Sequence, residues 1–241
     1  MVNEPRWIST PSLSTAFSIA QLAHSEQARK NDTRDPYISH LMAVAALVIE
    51  HGGTQEQAVI ALLHDTIEDT FVKYDALKEL VGATVADAVR NCSDTEVDPG
   101  QAKAPYGVRK PEYLKQVALG SPSDLTYLVK LADKTHNCES TARIWELGGH
   151  KDPHIFWEPF NAGDSCQETW YRGLALALRH VYEKDPDHNK QLEKLLLRFE
   201  RAVSILFDNR KVLPCNRNAG HKRPHECMAA LDSLKPLILA D

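Results

Sequence analysis

The chain has 241 residues, 43% of them hydrophobic and 25% charged, with a formal net charge of −5. That length and balance suit a packed globular protein and argue against a largely disordered one. Basic residues are scattered rather than massed, which argues against nucleic-acid or anionic-membrane partners and leaves room for a basic pocket around a small anion.

Read in chain order, nearly every segment predicts helix. "STAFSIAQLAHSEQARK" (14–30) spaces Phe17, Ile19, Leu22 and Ala23 helically, and "HLMAVAALVIEHGG" (40–53) does so until a Gly pair stops it. "AVIALLHDTIEDT" (58–70) reads as one further helix, and "KYDALKELVGATVADAVRNCSDT" as two short ones broken at Gly82. From Ser93 to Gly107 Asp, Pro, Gly and Lys dominate, which predicts a long surface loop. "EYLKQVAL" and "SDLTYLVKLADKTHNCESTARIWEL" return to helix, with Ser123 as the expected N-cap. The aromatic-rich stretch 148–165 reads as a packed flap. Helices follow at 167–184 and 188–207, separated by Pro186, and the tail from Asp208 carries a short helix, "ECMAALDSL". Nothing alternates at period two for long enough to form a sheet. The expected class is therefore all-α, with one domain over 1–241, a core over about 14–207 and a tail over 208–241. The last helix suits packing on the body or against a second subunit, which leaves a homo-oligomer open.

Cys92, Cys138, Cys166, Cys215 and Cys227 are an odd number at irregular spacing, as expected of a reduced, cytoplasmic protein. The N-terminus "MVNEPRWISTPSLST" lacks a secretory pattern, and no apolar run approaches the roughly 18 residues of a membrane span. The two Cys and two His of "CNRNAGHKRPHEC" (215–227) match no zinc-module spacing, and proximity in a polar tail explains them.

Chemistry concentrates where the apolar run "AVIALL" meets "HDTIEDT". At about 100° per residue, His64, Glu68, Asp65 and Asp69 fall at about 0°, 40°, 100° and 140°, on one side of a helix whose other faces are apolar. Burying unpaired carboxylates is costly, so such a cluster calls for positive charge, and a divalent cation bound by imidazole and carboxylate supplies it. The plain alternative is a capping His-Asp pair followed by two solvated acids. His40, opening one apolar helix, and Asp133, inside another, stand in the same relation to apolar neighbours.

The order His…His-Asp…Asp resembles the HD-domain metal-dependent phosphohydrolases. Within them it is similar to the (p)ppGpp hydrolase domain of the RelA/SpoT family and its stand-alone, Mesh1-type alarmone hydrolases. Four blocks carry the likeness: "QARK…PYISH" (27–40), "ALLHDTIEDT" (61–70), "GATVADAVRNCSD" (82–94) and "LVKLADKTHN" (128–137). The resemblance implies an HD-domain helical bundle in which His40, His64, Asp65 and Asp133 hold a metal, usually Mn²⁺. It implies that Glu68 and Asp69 position and deprotonate the attacking water, and that Arg29, Lys30, Asn137 and Ser140 hold the nucleotide, Ser140 standing where Thr is more usual. Lys134 is either a nucleotide contact or an exposed helix lysine. Arg109 and Lys110 are either surface charge or phosphate contacts, and His136 is packing or pocket wall.

Beyond about Trp145 the likeness thins, and "CQETWYRGLALAL" lacks plain counterparts of the basic and tyrosine side chains the family uses on pyrophosphate. No segment resembles a synthetase or regulatory domain, so hydrolysis alone is expected. The leading expectation is Mn²⁺-dependent release of pyrophosphate from (p)ppGpp or (p)ppApp. A phosphatase acting on NADPH or another phosphorylated nucleotide, and a regulator that binds alarmone without turnover, are the alternatives.

Overall fold

The structure, a computed structural model, describes residues 7, 11–29, 34–93, 103–160, 162–210 and 213. Among them run eleven α-helices: α1 (Pro11–Ala23), α2 (Ile38–Glu50), α3 (Gln55–Leu63), α4 (Thr66–Asp69), α5 (Tyr74–Val81), α6 (Ala83–Cys92), α7 (Tyr106–Ala118), α8 (Leu125–Leu147), α9 (Pro153–Trp157), α10 (Asp164–Glu183) and α11 (Lys190–Phe207). A 3₁₀ turn, Gly149–Lys151, precedes α9, and a lone antiparallel bridge joins Ala28 to Pro36. The all-α helical bundle is as the residue pattern predicts.

The long helix α8 is the axis of the bundle. On one flank it meets α2, α3 and α6, on another α11, while α10 packs between α7 and α11. One contiguous set of buried side chains runs from Ala16 to Phe207, with Leu41, Ile60, Leu63, Leu131, Leu195 and Phe199 almost wholly enclosed. Each such side chain contributes about 1.5–3 kcal/mol when buried. α11 shows why the sequence folds this way. Leu192, Leu195, Leu196, Phe199, Ala202, Val203 and Leu206 recur at helical spacing and are buried, and the Asn189 side chain caps the start by accepting from the Gln191 N–H at 2.9 Å.

The α2–α3 corner fixes the approach of two site-bearing helices. Gly52 adopts φ 92°, which favours glycine, and the Gly53 N–H donates to the Val48 carbonyl at 2.8 Å. A Cβ on Gly53 would collide with Val48, so the pair lets the chain turn tightly. α3 then starts on a capping box, Thr54 with Gln57.

Several boundaries differ from expectation. The first helix ends at Ala23 rather than near 30. Residues 27–29 are instead drawn out beside 35–37, with Arg29 N–H donating to Asp35 O (2.8 Å) and Tyr37 N–H to Gln27 O (2.9 Å). The stretch 58–70 is not one helix: α3 stops at Leu63 and α4 starts at Thr66. His64 Nδ1 donates to the Ala61 carbonyl (2.8 Å), the acceptor a continuing helix would offer to the Asp65 N–H. α7 begins at Tyr106 and carries Pro111 inside it, so the loop ends at Pro105. The cap of α8 is Asp124, which accepts from the Thr126 N–H at 2.7 Å, rather than Ser123. Lys30, the Cys/His run 215–227 and the tail helix fall outside the described residues.

Candidate functional site

Helix packing brings three segments to one point. α2 supplies His40 from its first turn, the α3–α4 junction supplies His64 and Asp65, and α8 supplies Asp133. His40 Nε2 lies 3.2 Å from Asp133 Oδ1 and 3.6 Å from Asp65 Oδ2. His64 Nε2 lies 3.1 Å from Asp65 Oδ2 and 3.5 Å from Asp133 Oδ1. Ligand atoms of His40, His64 and Asp65 all fall within 4.8 Å of one another.

Each of these side chains is aimed by a partner, as metal-binding groups usually are. Tyr37 OH donates to Asp65 Oδ2 at 2.6 Å. Lys134 Nζ donates to Asp133 Oδ2 and Asn137 Nδ2 to Asp133 Oδ1, both at 2.6 Å. His64 is oriented by the Ala61 carbonyl, and His40 Nδ1 is 2.7 Å from His136 Nδ1. If His40 keeps its Nε2 lone pair for the cluster, its Nδ1–H donates and His136 accepts. A neutral His136 fits that role, since burial, His40 and Arg29 push its pKa down to about 4.

A divalent cation suits this donor set. His40 Nε2 and His64 Nε2 are buried and have no hydrogen-bond partner among the described residues, although both face carboxylate oxygens. Two imidazole nitrogens and two carboxylates are a mixed N/O set appropriate to a first-row divalent metal. Burial alone would keep Asp65 and Asp133 protonated. Instead His64 beside Asp65, and Lys134 and His64 beside Asp133, hold both carboxyls below the usual range. Burial likewise opposes charge on His64, yet Asp65 and Asp133 raise its pKa well above the ordinary value. The cluster draws positive charge to itself.

α4, immediately beyond Asp65, carries Glu68 and Asp69. Lys103 Nζ donates to Glu68 Oε1 at 2.7 Å and to Asp69 Oδ1 at 3.0 Å, and Gln27 Nε2 donates to the Asp69 carbonyl at 2.6 Å. A cleft of about 1510 Å³ opens beside this centre. Arg29, Tyr37, Asp69, Lys134, His136, Asn137 and Ser140 line one side, and Lys151, Ile155 and Phe156 of the flap line another. Arg29 donates to Asn137 Oδ1 at 2.7 Å and lies 5.6 Å from the Tyr37 ring centroid. Lys134 Nζ is 5.3 Å from the centre of the Tyr113 ring, and Lys110 Nζ is 4.1 Å from that of Trp170.

The geometry thus gathers His40, His64, Asp65 and Asp133, sets Glu68 and Asp69 next to them, and places Arg29, Lys134, Asn137 and Ser140 on the cleft. The four side chains do not share one continuous helix: His64 and Asp65 form the turn between α3 and α4, and Glu68 and Asp69 follow on α4, with Asp69 N–H donating to the Asp65 carbonyl at 2.9 Å. Lys134 is not an exposed helix lysine, and Lys110 also reaches the cleft, whereas Arg109 donates its Nε–H to the Ala104 carbonyl at 2.8 Å. Sequence reasoning assigned no role to Tyr37, Gln27 or Lys103. Tyr37 lay inside the quoted "PYISH" block; nothing in the sequence marked Lys103.

A bundle that joins His, His-Asp and Asp from three helical segments defines the HD class. The family described as "HD domain" matches residues 16–147, more than half the chain, and the chain belongs to it. A curated relative, the guanosine-3′,5′-bis(diphosphate) 3′-pyrophosphohydrolase MESH1 of Xenopus tropicalis, is 32% identical over 135 residues, 55% of this chain and 71% of that protein. The bifunctional (p)ppGpp synthase/hydrolase SpoT of Escherichia coli is 35% identical over 137 residues, 55% of this chain but 18% of that protein. The chain spans 27% or less of the length of the long relatives it matches. A solved structure described as a metazoan ortholog of SpoT that hydrolyzes ppGpp matches with a TM-score of 0.60 at 22% identity, covering 83% of this chain and 99% of that one; it shows the shared fold. Among the described residues no helix is long and apolar enough to cross a membrane.

Proposed function

We propose that this protein is a single hydrolase unit that removes the 3′-pyrophosphate of (p)ppGpp or of its adenine counterpart (p)ppApp. In this reading His40, His64, Asp65 and Asp133 hold Mn²⁺ or a similar divalent ion. The observation that carries it is the pair of buried imidazole nitrogens that make no hydrogen bond among the described residues and lie 3.2 and 3.1 Å from carboxylate oxygens, with Arg29 and Lys134 on the neighbouring cleft. The names of the relatives supply the substrate class.

When bound, a divalent ion polarises phosphoryl oxygens and acidifies water. The chain's own residues do the rest. Glu68 and Asp69, next to the cluster on α4, accept the proton of the attacking water. The water oxygen forms a bond to the phosphorus attached to O3′, the O3′–P bond breaks, pyrophosphate leaves, and the ribose oxygen takes up a proton. Arg29, held by Asn137 and resting on Tyr37, is pre-aimed at the anionic nucleotide, and Lys134, Asn137 and Ser140 complete its seat, while the same role for Lys30 rests on the family resemblance alone. Tyr37 links the two halves, since it carries Arg29 on its ring and orients Asp65 with its hydroxyl.

Incubation of the Mn²⁺-loaded protein with ppGpp, ppApp and NADPH side by side tests the reading. Pyrophosphate release from at least one 3′-pyrophosphorylated nucleotide is expected. Orthophosphate release from NADPH alone would favour a phosphatase, and tight binding without turnover a regulator. Turnover that survives a chelator undiminished would overturn the metal-dependent mechanism.

A further inference from the structure

The acidic pair sits on a weak platform. α4 has four residues, too few for its own hydrogen bonds to hold two adjacent carboxylates against their mutual repulsion. Two groups from distant parts of the chain brace it. Gln27 fixes the backbone through the Asp69 carbonyl, and Lys103 bridges the two side chains, with Nζ 2.7 Å from Glu68 and 3.0 Å from Asp69. Lys103 stands just ahead of α7, where Arg109 Nε–H donates to the carbonyl of the next residue, Ala104, at 2.8 Å. That bond holds the backbone next to the lysine, whose ammonium reaches both carboxylates. Side-chain exposures of 16% for Glu68 and 31% for Lys103 make that arm of the bridge partly buried, where an ion pair is screened less than on open surface, while Asp69 at 39% forms its solvent-facing arm.

We propose that Lys103 is a positioning residue: by bridging Glu68 and Asp69 it holds them as one pair directed at the reacting water. This rests on the reading of those two acids as the water-activating groups. Lys103 acts through the carboxylates, so its effect belongs to the chemical step and not to nucleotide affinity. Methionine at 103 keeps an apolar stem of similar length and loses the bridge, while arginine keeps a cation able to span two carboxylates.

The test uses the full chain loaded with Mn²⁺ and the nucleotide that the wild type turns over. In K103M, kcat falls roughly tenfold to a hundredfold while KM stays within about twofold. K103R recovers most of the rate. Added to E68Q, K103M causes little further loss, because the group it serves is already disabled. A raised KM with unchanged kcat, or losses that multiply in the double variant, would show that Lys103 acts on substrate and would overturn the proposal. Crystal structures of wild type and K103M decide it without turnover: the two carboxylates are expected to separate in the variant, and unchanged positions would refute the bridge. Should the wild type hydrolyse none of the nucleotides, the functional reading fails while this structural arm still decides the role of Lys103.

Discussion

Replacing Asp133 by Asn asks whether the centre is organised by charge. The substitution keeps size and an acceptor for Asn137, but removes the negative charge from a residue 4% exposed. Lys134 Nζ, 2.6 Å away, and the His64 imidazole at 3.5 Å lose their counter-charge. Breaking a fully buried pair typically costs about 3–5 kcal/mol. The Lys134 side chain is 17% exposed and can relax into the cleft, so a loss of about 2–3 kcal/mol is expected without metal. A ligand at a hundred times its Kd adds about 2.7 kcal/mol to the wild type. The variant, short of one donor, should gain less than about 1 kcal/mol at the same metal concentration. Urea unfolding with EDTA and with Mn²⁺ reads both numbers. A gap between wild type and variant that narrows on adding Mn²⁺, or that is absent in EDTA, would refute the reasoning.

Other outcomes follow from the same geometry. Glu68→Gln should lower kcat by about 10²–10⁴-fold while the Mn²⁺-induced rise in unfolding midpoint stays as in wild type, which separates proton transfer from metal binding. Arg29→Ala should raise KM about tenfold with kcat nearly unchanged, as seen in steady-state kinetics. The Cys92 thiol is pushed up to about 11 from 9.0, chiefly by burial, so the folded chain keeps a proton that the unfolded chain gives up. The corresponding stability is complete below about pH 9 and fades as pH rises toward about 11. Peptide mapping after brief alkylation near pH 8.5 should find Cys92 unmodified in native protein and labelled in urea.

How much was legible in the sequence differs between fold and site. Helix α11 could be read directly, because its apolar residues recur at 3.6-residue spacing and packing rewards that stripe wherever it occurs. The cluster His40, His64, Asp65 and Asp133 could be suspected, because charge next to an apolar run is costly and therefore informative. The break between α3 and α4 was hidden. It depends on an imidazole taking the Ala61 carbonyl, a competition between side chain and backbone that periodicity does not register. The early end of α1 was hidden for a similar reason, since residues 27–29 are held by Asp35, Tyr37, Asp69 and Asn137, all beyond the reach of helical periodicity. Lys103 lay in a stretch rich in Pro, Gly and Lys, where one lysine looks like another until tertiary structure sets it against Glu68.

Helix α8 works on two fronts. The portion that presents Asp133 and Asn137 to the cleft belongs to the segment shared with the HD family, yet Cys138, Ala142 and Trp145 on the same helix are buried on its way toward the flap and α11. The rings of Phe156 and Trp157 lie 5.1 and 6.2 Å from Trp145, and the Arg210 guanidinium 4.6 Å from it. Arg210 is in turn anchored on buried Asp164 at 2.6 Å. Chemistry and stiffness are thus supplied by different stretches of chain: an excised 16–147 fragment would keep every proposed ligand but expose the back of the helix that aims one of them.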